Sequence, residues 1–215
     1  FVGNFDEAAL RPLIEKYIAS LPKGKAENWK DVPGFAAGKI ENRFTRKSET
    51  PKAIAFELWH APMAYTVENS VLTDAAAQKS IREDASAAYS VSAGGGLQRR
   101  GDKAVAIIQG YCPMDPIKSD LALKLLAEGM KDNTMKMDAD KVQKVKDFML
   151  KNAELSAKNN GHWMDILDEY IWTGVDLQTG YKAAVEALTP ARLAAHLKQL
   201  VAAGNHAEVV MTPVK

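Results

Sequence analysis

The spacing of apolar residues changes from helical to alternating and back several times along this chain, and that order constrains the fold more than any other feature. Asp6 reads as a helix N-cap, after which Leu10, Leu13, Ile14, Tyr17, Ile18 and Leu21 recur at helical intervals until Pro22. Alternation then predicts strands over 39–47 and 53–59, read as a hairpin turning at Glu49-Thr50-Pro51. A helix over 68–78 follows, then a second hairpin, 89–99 with 104–112, turning at Arg100-Gly101-Asp102-Lys103. The remainder reads as helices. One is capped by Asp115, one covers 138–158, Gly161 punctuates, and one lies around 163–172. Another surrounds Tyr181, and the last opens with Thr189-Pro190 as N-cap and first residue. Residues 206–212 close as a strand. This order predicts an α+β fold, an antiparallel or mixed sheet with helices packed on one face, in a single domain over 1–215.

Bulk properties narrow the function. The 28 basic and 27 acidic residues leave a net charge of +1, which argues against nucleic acid or a membrane surface as partner. No run of about eighteen apolar residues is present, so membrane insertion is not expected, and no signal peptide is recognised. The lone Cys112 follows Gly110-Tyr111 at the end of an apolar run and reads as a small core residue. Met130, Met135, Met137 and Met149 read as core filler. Gly94-Gly95-Gly96 lacks the Lys-Ser/Thr and helix of a phosphate loop and reads as a mobile or bulged strand segment. Arg100-Gly101-Asp102 is accounted for by turn chemistry. Asp165, Asp168 and Glu169 near His162 read as a solvated helix face.

The stretch from Ile81 through Arg82 and Tyr89 to Ser92 carries two different hydrogen-bond donors. One is a charged planar fork and the other a phenolic O–H, the kinds a peptide carbonyl or its oxyanion needs. With its flanks, this stretch resembles the pitrilysin/insulinase (inverzincin) family of zinc metallopeptidases. Phe1-Val2-Gly3-Asn4-Phe5-Asp6, the helix after it and Ser20-Leu21-Pro22 look like the strand, capped turn and helix that open the family's carboxyl-side domain. Arg82 and Tyr89-Ser90-Val91-Ser92 fall where the family has its substrate-binding Arg and Tyr.

What the resemblance implies is specific. The chain is expected to be the carboxyl-terminal, non-zinc-binding domain of a zinc metalloendopeptidase, with the family's repeated metallohydrolase-like fold. A peptide substrate is enclosed in a chamber between this domain and a homologous zinc-bearing amino-terminal half, on the same chain or a partner chain. Arg82 would hold a substrate carbonyl, and Tyr89 would donate to the carbonyl oxygen as the zinc-activated water attacks. The family's His-x-x-Glu-His motif is absent, and His60, His162, His196 and His206 are not paired at helical ligand spacing. Zinc is thus expected in the parent enzyme and not on this chain, which alone is expected to be inactive. A non-catalytic, structural or substrate-holding homologue is the alternative, and bacterial relatives suggest the periplasm. The apolar stripe of the 68–78 helix loses phase at Gln78-Lys79, where the family has about two more turns, roughly seven or eight residues. Residues are therefore expected to be missing between 78 and 79.

Overall fold

A computed structural model describes residues 1–25, 27, 34, 36–80, 92–100, 103–135 and 138–214. Helix α1 spans Glu7–Tyr17 and is capped by Asp6, whose carboxylate accepts the Ala9 N–H at 3.1 Å. Strands β1 (Lys39–Lys47) and β2 (Ala53–Pro62) precede α2 (Val67–Ser80). Strands β3 (Ser92–Arg100) and β4 (Lys103–Met114) follow, and a turn of 3-10 helix, Pro116–Lys118, leads into α3 (Ser119–Met135). Then come α4 (Ala139–Ser156), α5 (Asn160–Thr173), α6 (Tyr181–Glu186), α7 (Pro190–Ala202) and β5 (Asn205–Val214). The fold is α+β, as the periodicities predict.

The five strands form one mixed sheet in the order β1-β5-β2-β4-β3, with β1 parallel to β5 and the other pairs antiparallel. The second expected hairpin forms as β3–β4, but the first does not. The last strand inserts between β1 and β2, pairing Lys39 with His206 on one side and Trp59 with His206 on the other. A local turn between two strands does not reveal a third strand arriving from the far end of the chain. Two further expectations change. Residues 1–5 join no strand of the sheet. Gly161 lies within the first turn of α5, because Asn159 supplies the N-cap by accepting the Gly161 N–H at 2.8 Å.

One sheet face is sealed by helices. Alternate residues of β2, Ala53, Ala55, Glu57, Trp59 and Ala61, are all buried. Trp59 and Ala61 share the main core with Val71, Leu72, Ala75 and Ala76 of α2 and with Leu193, Leu197 and Leu200 of α7. Each such leucine contributes about 1.5–3 kcal/mol by leaving water. A smaller core joins Cys112 and Met114 to Leu123 and Val210. Cys112 is thus the buried small residue expected, its thiol pKa raised by burial. Met130 and Met149 are core residues, whereas the side chains of Met135 and Met137 lie outside the described residues. The other sheet face, with Phe44, Phe56 and Tyr111, is only partly covered.

The triple glycine is neither bulged nor out of register. Gly94, Gly95 and Gly96 pair in unbroken sequence with Gln109, Ile108 and Ile107. A Cβ at Gly95 would lie 2.6 Å from the Ile107 carbonyl oxygen and 2.7 Å from the Ala77 Cβ. Gly95 therefore lets α2 sit directly on β3. Helix α2 continues unbroken through Gln78 and Lys79 to Ser80.

Candidate functional site

The sequence between α2 and β3 contains Arg82 and Tyr89, and both lie outside the described residues. Its two anchors are described. Helix α2 begins at a Thr66 cap, whose hydroxyl oxygen accepts the Asn69 N–H at 3.2 Å, and packs on β3 through the Ala77–Gly95 approach. Strand β3 is an outer strand whose one partner among the described residues is β4. Its remaining edge presents backbone N–H and C=O groups of the kind that accept an added strand. Among the described residues, a Cβ at Gly94 or Gly96 would meet nothing within 4 Å.

Beside Leu97 of β3 lies a cleft of about 730 Å³, lined also by Tyr65, Trp163, Ile166, Glu169, Tyr170 and Tyr181. The Tyr65 hydroxyl donates to Glu169, and its pKa is raised, first by burial and then by that carboxylate. Burial, with the charge of Asp74 adding, pushes Tyr181 up to about 12. Both phenols therefore stay protonated at neutral pH. Arg99 donates to the Thr173 carbonyl at 2.8 Å, tying β3 to the end of α5.

The four histidines do different work. His196 Nε2 lies 3.0 Å from Thr73 Oγ1, which itself donates to the Asn69 carbonyl at 2.7 Å. The hydroxyl hydrogen is thereby spent, so Nε2–H is the donor. Burial pushes the His196 pKa down to about 4. His206 donates from Nε2 to the buried carboxylate of Glu57 at 2.9 Å and stacks on Trp59 at 3.9 Å. The Trp59 indole donates to the same Glu57 oxygen at 2.6 Å. Composition and motif reading do not single out this Glu57–Trp59–His206 cluster; its one signal is a Glu in phase with the buried side of a strand. His60 meets the Ala36 carbonyl at 3.2 Å, and His162 stands edge-on to Trp163. Among the described residues no three His, Cys, Asp or Glu side chains are grouped to hold a metal ion, Asp165, Asp168 and Glu169 included. The described residues do not fit a zinc site.

The model of a family described as "Peptidase M16 inactive domain" matches residues 1–149. No curated protein sequence matches the chain. Among solved structures, the ferredoxin protease FusC, determined in complex with Arabidopsis ferredoxin, superposes with a TM-score of 0.77 at 15% identity, over 98% of this chain and 24% of its own. A protease from Helicobacter pylori gives 0.73 at 14% identity, over 99% of this chain and 54% of its own. The inactive peptidase domain of a putative zinc protease from Bordetella parapertussis gives 0.64 at 15% identity, over 79% of this chain and 97% of its own. The chain thus spans about a quarter of FusC and about half of the Helicobacter protease. At these identities the superpositions show a shared fold, and the family model, which matches well over half of the chain, shows the lineage. The chain belongs to the peptidase M16 family, the pitrilysin/insulinase family that its opening motif and Arg82–Tyr89 stretch resemble, as an inactive domain.

Proposed function

We propose that this domain is the substrate-binding, carboxyl-terminal part of a zinc metalloendopeptidase, with the metal centre on a separate domain or chain. The observation that carries the reading is the position of β3. It is an outer strand with an unpaired edge among the described residues, it is joined directly in sequence to the stretch holding Arg82 and Tyr89, and the family model covers both. A peptide added along such an edge is recognised through its backbone, so many sequences are accepted. Arg82 then holds a substrate carbonyl near the scissile bond through charge-assisted hydrogen bonds. Tyr89 donates to the carbonyl oxygen as negative charge develops on it, an interaction worth roughly 3–4 kcal/mol when aimed at the oxyanion.

The two residues carry separable roles, and steady-state kinetics on the natural full-length protein tests them. With Arg82→Gln, the expected result is mainly a higher KM for a quenched fluorescent peptide. With Tyr89→Phe it is mainly a lower kcat. If neither substitution changes either constant, the domain is a structural or substrate-holding element and the reading fails.

A further inference from the structure

The charges around the cleft beside Leu97 are one-sided. Asp165 and Glu169 of α5 and Asp176 of the loop after it line the cleft, and no Lys or Arg does. Asp165 and Glu169 are four residues apart, so they share a helix face and repel each other. Hydrogen bonds from the Thr179 side chain, and then from the Thr179 and Gln178 N–H groups, hold the Asp176 carboxyl below its ordinary range, so it is ionised at neutral pH. Arg99, whose charge is felt at Tyr65, is not a lining residue and donates to the Thr173 carbonyl at 2.8 Å.

Aromatic rings form much of the remaining wall: Tyr65, Trp163, Tyr170 and Tyr181. The polar groups of two are already engaged, the Tyr65 O–H with Glu169 and the Trp163 indole N–H with the Ala157 carbonyl at 2.8 Å, so their rings are what they offer a ligand. Aromatic faces attract cations, most strongly where water is displaced. His162 also lines the cleft, edge-on to Trp163, and its Nε2 is buried without a hydrogen-bond partner among the described residues. With the ring proton on Nδ1, that nitrogen accepts an N–H from a ligand. The volume, about 730 Å³, is that of a small-molecule site.

We propose that this cleft receives a basic side chain, the ammonium of a lysine or the guanidinium of an arginine, from a peptide lying along the β3 edge. The proposal rests on the reading of β3 as the peptide-binding edge and names the class of substrate. Gly95 and Leu97 share the face of β3 that meets α2, and alternate side chains of an added strand point to that same face. The aliphatic stem of such a side chain packs on Leu97 and Ile166 while its charged head lies among the carboxylates and rings. An acidic side chain is repelled by the same three carboxylates.

Ligand-observed NMR titration of the natural full-length protein with Nα-acetyl-lysine N-methylamide tests this, beside the norleucine analogue, which keeps the four-carbon stem and lacks the ammonium. The norleucine probe is expected to bind about tenfold more weakly. Asp165→Asn combined with Asp176→Asn is expected to weaken the lysine probe about fivefold, with the norleucine probe and Tm unchanged. Asn at 176 retains an oxygen for the Gln178 and Thr179 N–H groups. Equal binding of the two probes, no detectable binding of the lysine probe, or indifference to the double substitution overturns the proposal. A twelve-residue peptide with one lysine is expected to displace the lysine probe, and its norleucine counterpart is not. Displacement by pentylamine but by neither peptide assigns the cleft to a free amine and equally overturns the proposal. The probes are too short to pair along β3 and their binding is read without turnover, so the result is independent of whether Tyr89→Phe loses activity.

Discussion

Gly95 has no room for even one more carbon. The atoms a Cβ would strike, the Ile107 carbonyl oxygen and the Ala77 Cβ, belong to backbone or to a side chain that cannot rotate away. Gly95→Ala is therefore expected to cost about 1–3 kcal/mol through overpacking, read as a lower urea midpoint. Gly94→Ala, whose added carbon meets nothing, is expected to be near neutral, and equal effects at the two positions would refute the close-approach account. His196 yields a pH dependence of definite sign. Its folded pKa of about 4 lies below the ordinary histidine value of 6.5, so the unfolded chain binds the proton more tightly. The stability contributed by neutral His196 is complete above about pH 6.5 and is lost as the pH falls toward 4, at about 1.4 kcal/mol per pH unit. Urea midpoints at pH 7 and pH 5 check this, with His196→Gln expected to flatten the difference. At this scale core membership was legible: Cys112 and Met130 are buried as their surroundings imply. The Glu57–His206 contact was not, because alternation tells which residues share a face but not which distant side chain will meet them there.

Helix ends were read well because capping is a local interaction. Asp6, Asp115 and Thr189 each accept a backbone N–H where the sequence placed a start. The β3–β4 hairpin was likewise set by neighbouring residues. Pairing of β1 was not, since β5 competes for both of the strands that a short connection seemed to join. Helix α2 bears on a separate expectation. It runs on through Gln78 and Lys79 to Ser80, the junction where the lost apolar phase suggests missing residues. Peptide mapping of the natural protein decides between them: a fragment spanning Gln78–Lys79 that is heavier than this sequence allows supports an omission, and one of equal mass contradicts it. The candidate site was legible as two residues and a spacing, and the structure adds the elements that flank it. Which strand lies at the sheet edge depends on the whole topology and cannot be seen in the stretch itself.

At the scale of the whole molecule, the sheet has one sealed face, and bare apolar surface remains on α1, α5 and the opposite sheet face. This is the expected form of a domain that works against other polypeptide, and it agrees with a chain spanning about a quarter of FusC and about half of the Helicobacter protease. The chain has no recognisable metal-binding motif of its own, and the described residues group no metal ligands. On the reading proposed above, its contribution to hydrolysis is made by donors facing a centre held elsewhere. The most direct test of that claim is kcat/KM for a quenched fluorescent peptide, measured for the natural full-length protein with and without Tyr89→Phe. The substitution removes one O–H and little else. A loss of about a hundredfold or more, the scale of deleting an oxyanion donor, is the predicted result; an unchanged kcat/KM would contradict the account and leave Tyr89 a packing residue.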